Sequence, residues 1–261
     1  MVKDRIIKEL KRLEREFEVK ICYAVEAGSR SWGTSSKDSD YDVRFIYVHK
    51  KDWYLSIDQK RDVIEQPINE HLDLSGWDLR KALQLFRKSN PSLLEWLHSN
   101  IVYFEAFSLL EKMKQLENQV FQPKASLFHY LNMAKANYRV CLQIEPINSK
   151  CYLNVIRPIL ACMWIEKQNR FPPNDIHSLL GNLIFEEEIK REILTLIKSK
   201  VNRGENQYQL NIRIIQNFIE EEIQYLEDYS KDIEAPKQEF TAILNELFRH
   251  VLVEAWQDND Q

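Results

Sequence analysis

From Asp40 to Val48 the chain alternates: Tyr41, Val43, Phe45 and Tyr47 fall on one parity, and Asp40, Asp42 and Arg44 on the other. Side chains two residues apart in an extended strand point the same way, so one face is apolar and the other presents two carboxylates together. A sheet that buried both carboxylates without partners would be heavily penalised. The polar face must therefore meet solvent, a cation or a ligand, and the strand must lie between a core and a site.

The segments around it fit that placement. Ile6, Ile7, Leu10, Leu13 and Phe17 recur at helical spacing, and Val19 to Val25 is apolar on both parities, as a central strand would be. Between the two strands lies Gly28-Ser29-Arg30-Ser31-Trp32-Gly33. The chain has only 5 glycines, and two bracket this loop, which predicts a backbone that must approach something closely. A further strand is expected from Ile68 to Leu74, with Asn69, His71 and Asp73 on one face. Ser75-Gly76-Trp77-Asp78 has the form of a capping box. It would open a helix through Leu79, Ala82, Leu83 and Phe86 that Asn90-Pro91 stops; Leu93, Leu94 and Leu97 and the apolar run from Ile101 to Phe104 follow.

Beyond Gln122-Pro123 strand signals fade. Helical periodicity covers 125–143, 149–168, 186–202, 207–228 and 238–256, with turns at Phe171-Pro172-Pro173 and Arg203-Gly204. The expected class is α+β: a mixed sheet with flanking helices over residues 1–120, then an all-helical C-terminal domain over 121–261.

Charge and cysteines bound the function. A net charge of −4 argues against binding nucleic acid by bulk attraction, while leaving a local basic face open. No apolar run is long enough to span a membrane, and the charged N-terminus lacks the apolar core of a signal peptide. Cys22, Cys141, Cys151 and Cys162 show no C-x-x-C spacing and read as reduced, buried thiols of a cytoplasmic protein.

Two acids at i and i+2 on one strand, with a third from a neighbour, make a holder of hard oxygen ligands suited to Mg²⁺. A pair of such ions can activate an attacking oxygen and stabilise a leaving pyrophosphate. The glycine-serine turn offers free backbone N–H groups and a hydroxyl to a triphosphate. Asp40 and Asp42 are thus the candidate metal ligands. For the third, Asp73 on the polar face of its strand is preferred to Asp78, which the capping role explains. Asp38-Ser39-Asp40-Tyr41-Asp42 imitates a calcium loop, but Val43 and His49 stand where an EF-hand needs glycine and glutamate. Arg44 suits an ion pair or a phosphate equally, and Trp32 and Trp77 read as packing residues. Lys150, Asn154 and Arg157 form a polar stripe on an otherwise apolar helix, either a solvated face or a ligand contact.

The glycine-serine loop and Asp40-Tyr41-Asp42 resemble the signature of the DNA polymerase beta-like nucleotidyltransferase superfamily. With Leu72 to Ala82, Ser89-Asn90-Pro91 and Leu94-Glu95-Trp96-Leu97, the chain looks like the YcgL-type predicted nucleotidyltransferases, some associated with RNA ligase and repair genes. The likeness covers most of 20–105 and runs more loosely to about 180. It implies a minimal nucleotidyltransferase sheet, with Gly28, Ser29 and Arg30 at the triphosphate and Asp40, Asp42 and Asp73 as catalytic metal ligands. Second domains in such enzymes supply Lys, Tyr or Arg to the phosphates, which points to Lys150, then Arg157 and Tyr152. The expected activity is Mg²⁺-dependent transfer of a nucleoside monophosphate from an NTP, ATP by default, to an acceptor hydroxyl on an RNA end, a protein or a small molecule. The rival is a non-catalytic nucleotide-binding or protein-interaction module of a repair or toxin–antitoxin system.

Overall fold

The structure, a computed structural model, describes residues 2–257 except 70, 145, 147, 203–209 and 234–238; for 67–69 it describes the backbone alone. The chain runs α1 (Val2–Glu16), β1 (Lys20–Glu26), α2 (Gly28–Ser31), β2 (Tyr41–Val48), α3 (Lys51–Tyr54), β3 (Val63–Asn69), β4 (Leu72–Asp78), α4 (Leu79–Arg87), α5 (Pro91–Leu97) and β5 (Val102–Glu105). Helices follow: α6 (Leu109–Val120), α7 (Pro123–Cys141), α8 (Ser149–Gln168), α9 (Ile176–Leu183), α10 (Glu187–Val201), α11 (Ile212–Asp232) and α12 (Thr241–Trp256). This is the expected α+β architecture.

The sheet has 5 strands in the order β3-β4-β2-β1-β5. β2 lies antiparallel to β1 and parallel to β4, so the sheet is mixed. Val43, Phe45 and Tyr47 pack under α1 with Ile6, Leu10 and Leu13. On the opposite face Ile46 and Val48 join Leu79, Phe86 and the helical half. The polar parity of β2 is therefore polar only as far as Arg44.

Two local expectations are corrected. The strand placed at 68–74 is two strands: β3 ends at Asn69 and β4 begins at Leu72, antiparallel to it, with His71 in the turn at φ 65. Asn69, His71 and Asp73 therefore do not share one strand face. The capping box at 75–78 is strand, because Leu72, Leu74 and Gly76 alternate inward and the ring of Phe45 lies where a Cβ on Gly76 would stand. Asp78 itself caps α4, accepting the Arg80 N–H at 2.8 Å. The turn expected at Arg203-Gly204 and the start of the helix expected at 207 lie outside the described residues.

The thiol reading is also corrected. Cys141 and Cys151 form a disulfide with Cα atoms 5.6 Å apart, inside the ordinary range for a bridge. They close the α7–α8 turn, a proximity that linear spacing does not reveal. Cys22 and Cys162 are free and buried, and burial pushes both thiols up.

The core does not divide at residue 120. One continuous cluster runs from Cys22 through α7 and α8 to Ala255 on α12. That last helix returns to the sheet side, where Phe248 meets Tyr54 edge to face and Thr241 accepts from Arg87.

Candidate active site

At the end of the sheet where β1 finishes and β2 and β4 begin, a cavity of about 720 Å³ opens between the two halves. Gly28, Ser29, Asp40, Asp42 and Arg44 line it from the sheet half, and Lys150, Asn154 and Lys200 from the helical half. Its volume is that of an ordinary small-molecule site.

The glycine loop is drawn onto β2. Ala27 N–H donates to the Asp42 carbonyl at 2.8 Å, and Gly28 takes φ +56. A Cβ there would stand 2.1 Å from Asp42 Oδ2, so only glycine lets the loop lie against this carboxylate. Behind it, fully buried Glu26 accepts the Asp42 N–H at 3.0 Å and the Tyr103 hydroxyl. Burial raises the Glu26 carboxyl. Glu26 was missed by sequence reasoning, although a carboxylate closing an apolar strand was a usable signal.

Helices of both halves hold the other side of the loop. Glu95 on α5 accepts from Trp32 Nε1 at 3.3 Å, Tyr130 Oη at 2.9 Å and Arg157 Nη1 at 2.7 Å. Asn174 donates to Ser31 Oγ at 2.9 Å, and Ile176 N–H to the Trp32 carbonyl at 3.1 Å. Trp77 stacks on Trp96 at 3.8 Å, and both border the cavity.

The three acids stand in different company. Asp42 and Asp73 are register partners across β2 and β4, and Arg44 lies between them, Nη2 being 2.7 Å from Asp73 Oδ2 and 3.4 Å from Asp42 Oδ1. Asp40 is exposed and meets His71 Nδ1 at 2.9 Å. Asp40 and Asp42 line the cavity; Asp73 is not among its lining residues. Burial raises the Asp42 carboxyl; Arg44 and Lys150 oppose that rise, while Asp73 and Asp40 add to it.

Among the described residues no three His, Cys, Asp or Glu side chains converge as an ion-holding group. Asp40 and Asp42 nevertheless suit a hard divalent cation: both are oxygen donors on one wall, and Asp42 is half-buried with two acidic neighbours and one arginine at 3.4 Å. Asp73 would join them only by exchanging Arg44 for the ion.

The other predicted ligands separate. Arg30 lies 3.8 Å over the Tyr41 ring and donates to the carbonyls of Ser39 at 2.6 Å and Asp40 at 3.2 Å, so its donors hold the loop that carries Asp40. Lys150 faces the cavity. Tyr152 is buried and accepts from Gln216. Arg157 is 4 % exposed, 4.4 Å over the Trp32 ring and behind the wall that Glu95 forms. Lys200 enters from the last turn of α10, donating to Thr34 Oγ1 at 3.0 Å. Burial, then the like charge of Lys150, lowers it to about 8 against the pull of Asp42. No sequence signal marked it, since residues 186–202 show only helical periodicity. Among the described residues neither Lys150 nor Lys200 has an ion-pair partner.

Comparison with known proteins identifies the family. The profile of the RNA repair pathway DNA polymerase beta family matches residues 2–250. The chain is 51% identical over 257 residues to the uncharacterized protein YcgL of Bacillus subtilis, covering 98% of this chain and 99% of that one. A crystal structure of a nucleotidyltransferase-like protein from Exiguobacterium sibiricum aligns over 98% of this chain and 81% of its own at 10% identity, with a TM-score of 0.33.

Proposed function

Because the chain belongs to the RNA repair pathway DNA polymerase beta family, we propose that it transfers a nucleoside monophosphate from an NTP to a hydroxyl at an RNA end. The observation that carries this reading is the cavity's polarity. Carboxylates Asp40 and Asp42 form one side, and two lysines without acidic partners among the described residues form the other. A ligand carrying phosphates together with a divalent cation satisfies both walls.

Mg²⁺ at Asp40 and Asp42 would draw charge from the phosphate oxygens as the transfer proceeds. Ser29 and the N–H groups of its turn hold the β- and γ-phosphates, with Lys150 and Lys200 facing them. The acceptor oxygen bonds to the α-phosphorus as the bond from that phosphorus to the β-phosphate bridge breaks, and pyrophosphate leaves. Asp73 Oδ2 takes the acceptor's proton once Arg44 turns from it to the phosphates. Arg157 and Tyr152 act behind the wall, and Arg30 holds the Asp40 loop.

The test is pyrophosphate release and label incorporation from α-labelled NTPs with RNA acceptors. Asp42→Asn is expected to lower turnover on the order of a hundredfold or more with an unchanged circular dichroism spectrum. Wild-type turnover in that variant removes the assignment. Nucleotide binding by the wild type with no pyrophosphate released from any NTP would favour the non-catalytic rival.

A further inference from the structure

The end of the sheet opposite the cavity carries a different surface. There β1 begins, β2 ends and β4 passes into α4, so Lys20, His49, Lys50, α3 and Arg80 come together. Trp53 stacks on His49 with centroids 4.0 Å apart, and has Lys60 and Arg80 at 5.5 and 5.7 Å from its ring. Arg80 also lies 5.0 Å over Tyr54. Beside them Trp256 has Lys20 at 5.6 Å and Lys50 at 5.5 Å.

Four cations, Lys20, Lys50, Lys60 and Arg80, thus crowd three aromatic rings, and among the described residues none of the four has an ion-pair partner. Nearby Lys81 and Arg61, by contrast, are paired with Asp62 and Glu65. Asp52 and Asp58 flank the patch, leaving it with an excess of positive charge in a chain whose net charge is −4. Asp78 beneath it is buried, accepting from the Tyr54 hydroxyl at 2.6 Å and the Arg80 N–H. A cavity of about 300 Å³ opens at Trp53, Lys60 and Arg80, with Asp58 and the Lys81-paired Asp62 also in its lining.

We propose that this basic, aromatic end of the sheet is a second contact for single-stranded RNA, holding a stretch of the acceptor away from its reacting end. Cations that follow a phosphate backbone, interleaved with rings on which bases stack, are the recognition chemistry of unpaired nucleic acid. A lipid surface fits less well, because exposed Leu55 and Ile57 at the rim offer little apolar area for burial. The six residue steps from Asp42 to Val48 set the two ends about 20 Å apart. A short acceptor therefore fills the cavity alone, and a longer one engages both ends. The role as an acceptor contact rests on the transfer reading, whereas RNA binding by the surface does not.

The test is fluorescence anisotropy with labelled single-stranded RNAs of about 20 and about four nucleotides, on wild type and Lys50→Ala/Lys60→Ala/Arg80→Ala. The altered side chains are exposed, and circular dichroism checks the fold. For the long RNA the variant's Kd is expected to rise about tenfold, with the salt slope shallower by about two. Short-RNA binding and pyrophosphate release with a short acceptor stay at wild-type values. Lys50→Arg/Lys60→Arg retains long-RNA binding, and Trp53→Ala weakens it at an unchanged salt slope. Unchanged long-RNA affinity in the triple variant overturns the proposal. So does equal loss of inorganic polyphosphate binding, or tighter wild-type binding to phosphatidylserine vesicles than to RNA. If no pyrophosphate is released by the wild type while the anisotropy results hold, the transfer reading fails and this surface stands.

Discussion

Lys200 shows how one side chain can set the pH behaviour of the proposed site. Its pKa in the folded chain is about 8, below the 10.5 of a free lysine, because burial and Lys150 disfavour the charge. Between those values the unfolded chain holds the proton and the folded chain does not, so this group's contribution to stability rises with pH across that window. Ligand binding runs the opposite way, since a phosphate needs the ammonium. NTP affinity is therefore expected to fall as pH rises through about 8. In Lys200→Ala the KM for NTP should be about tenfold higher, and that step in its pH profile lost. Steady-state kinetics across pH in both proteins checks this. Asp42 belongs to the same scale, and its position was legible because strand parity is a local property. The burial that raises it was not, because Glu26 and Gly28 reach it from the preceding strand and its loop.

Among the elements, α8 bears most on the site, since its first turns carry Lys150 and Asn154 and its start is tied to the end of α7 by Cys141–Cys151. Closing a loop of this length restricts the unfolded chain by about 2–3 kcal/mol. Cys141→Ser/Cys151→Ser is expected to lose about that much stability in urea unfolding, and the wild type to match it under a dithiol reductant. The bounds of α8 were readable from its periodicity; in the structure Asn148 caps it and Asn169 ends it in the left-handed conformation. The β3–β4 hairpin was not, because its turn has no glycine and His71 supplies the positive φ instead. Likewise Ser75 to Asp78 copies a helix start, yet strand pairing with Tyr47 and Val63 prevails over that local preference.

In the whole molecule, the two halves meet through Arg157 and Glu95, 4 % and 15 % exposed. Removing one partner of a buried pair leaves the other charged and uncompensated. Arg157→Leu is expected to cost about 3–5 kcal/mol, and Arg157→Leu/Glu95→Gln, which removes the uncompensated charge but keeps an acceptor for Tyr130 and Trp32, to recover part of it. Chemical denaturation of the single and double variants measures both. The same pair sets the glycine loop against the helical half through Trp32, so the single variant should also raise the KM for NTP. By itself the sequence determined which strand carries acids at its start and an apolar face beneath, that the loop before it must lie close to a neighbour, and that helices follow the sheet. These follow from periodicities of two and 3.6 and from the rarity of glycine, all short-range properties. Only the tertiary structure decided that Arg44 sits between Asp42 and Asp73, that Arg157 supports the wall from behind, and that Lys200 completes the cavity. Those outcomes depend on which side chains remote in sequence become neighbours, and pairing and burial energies exist only once the chain has folded.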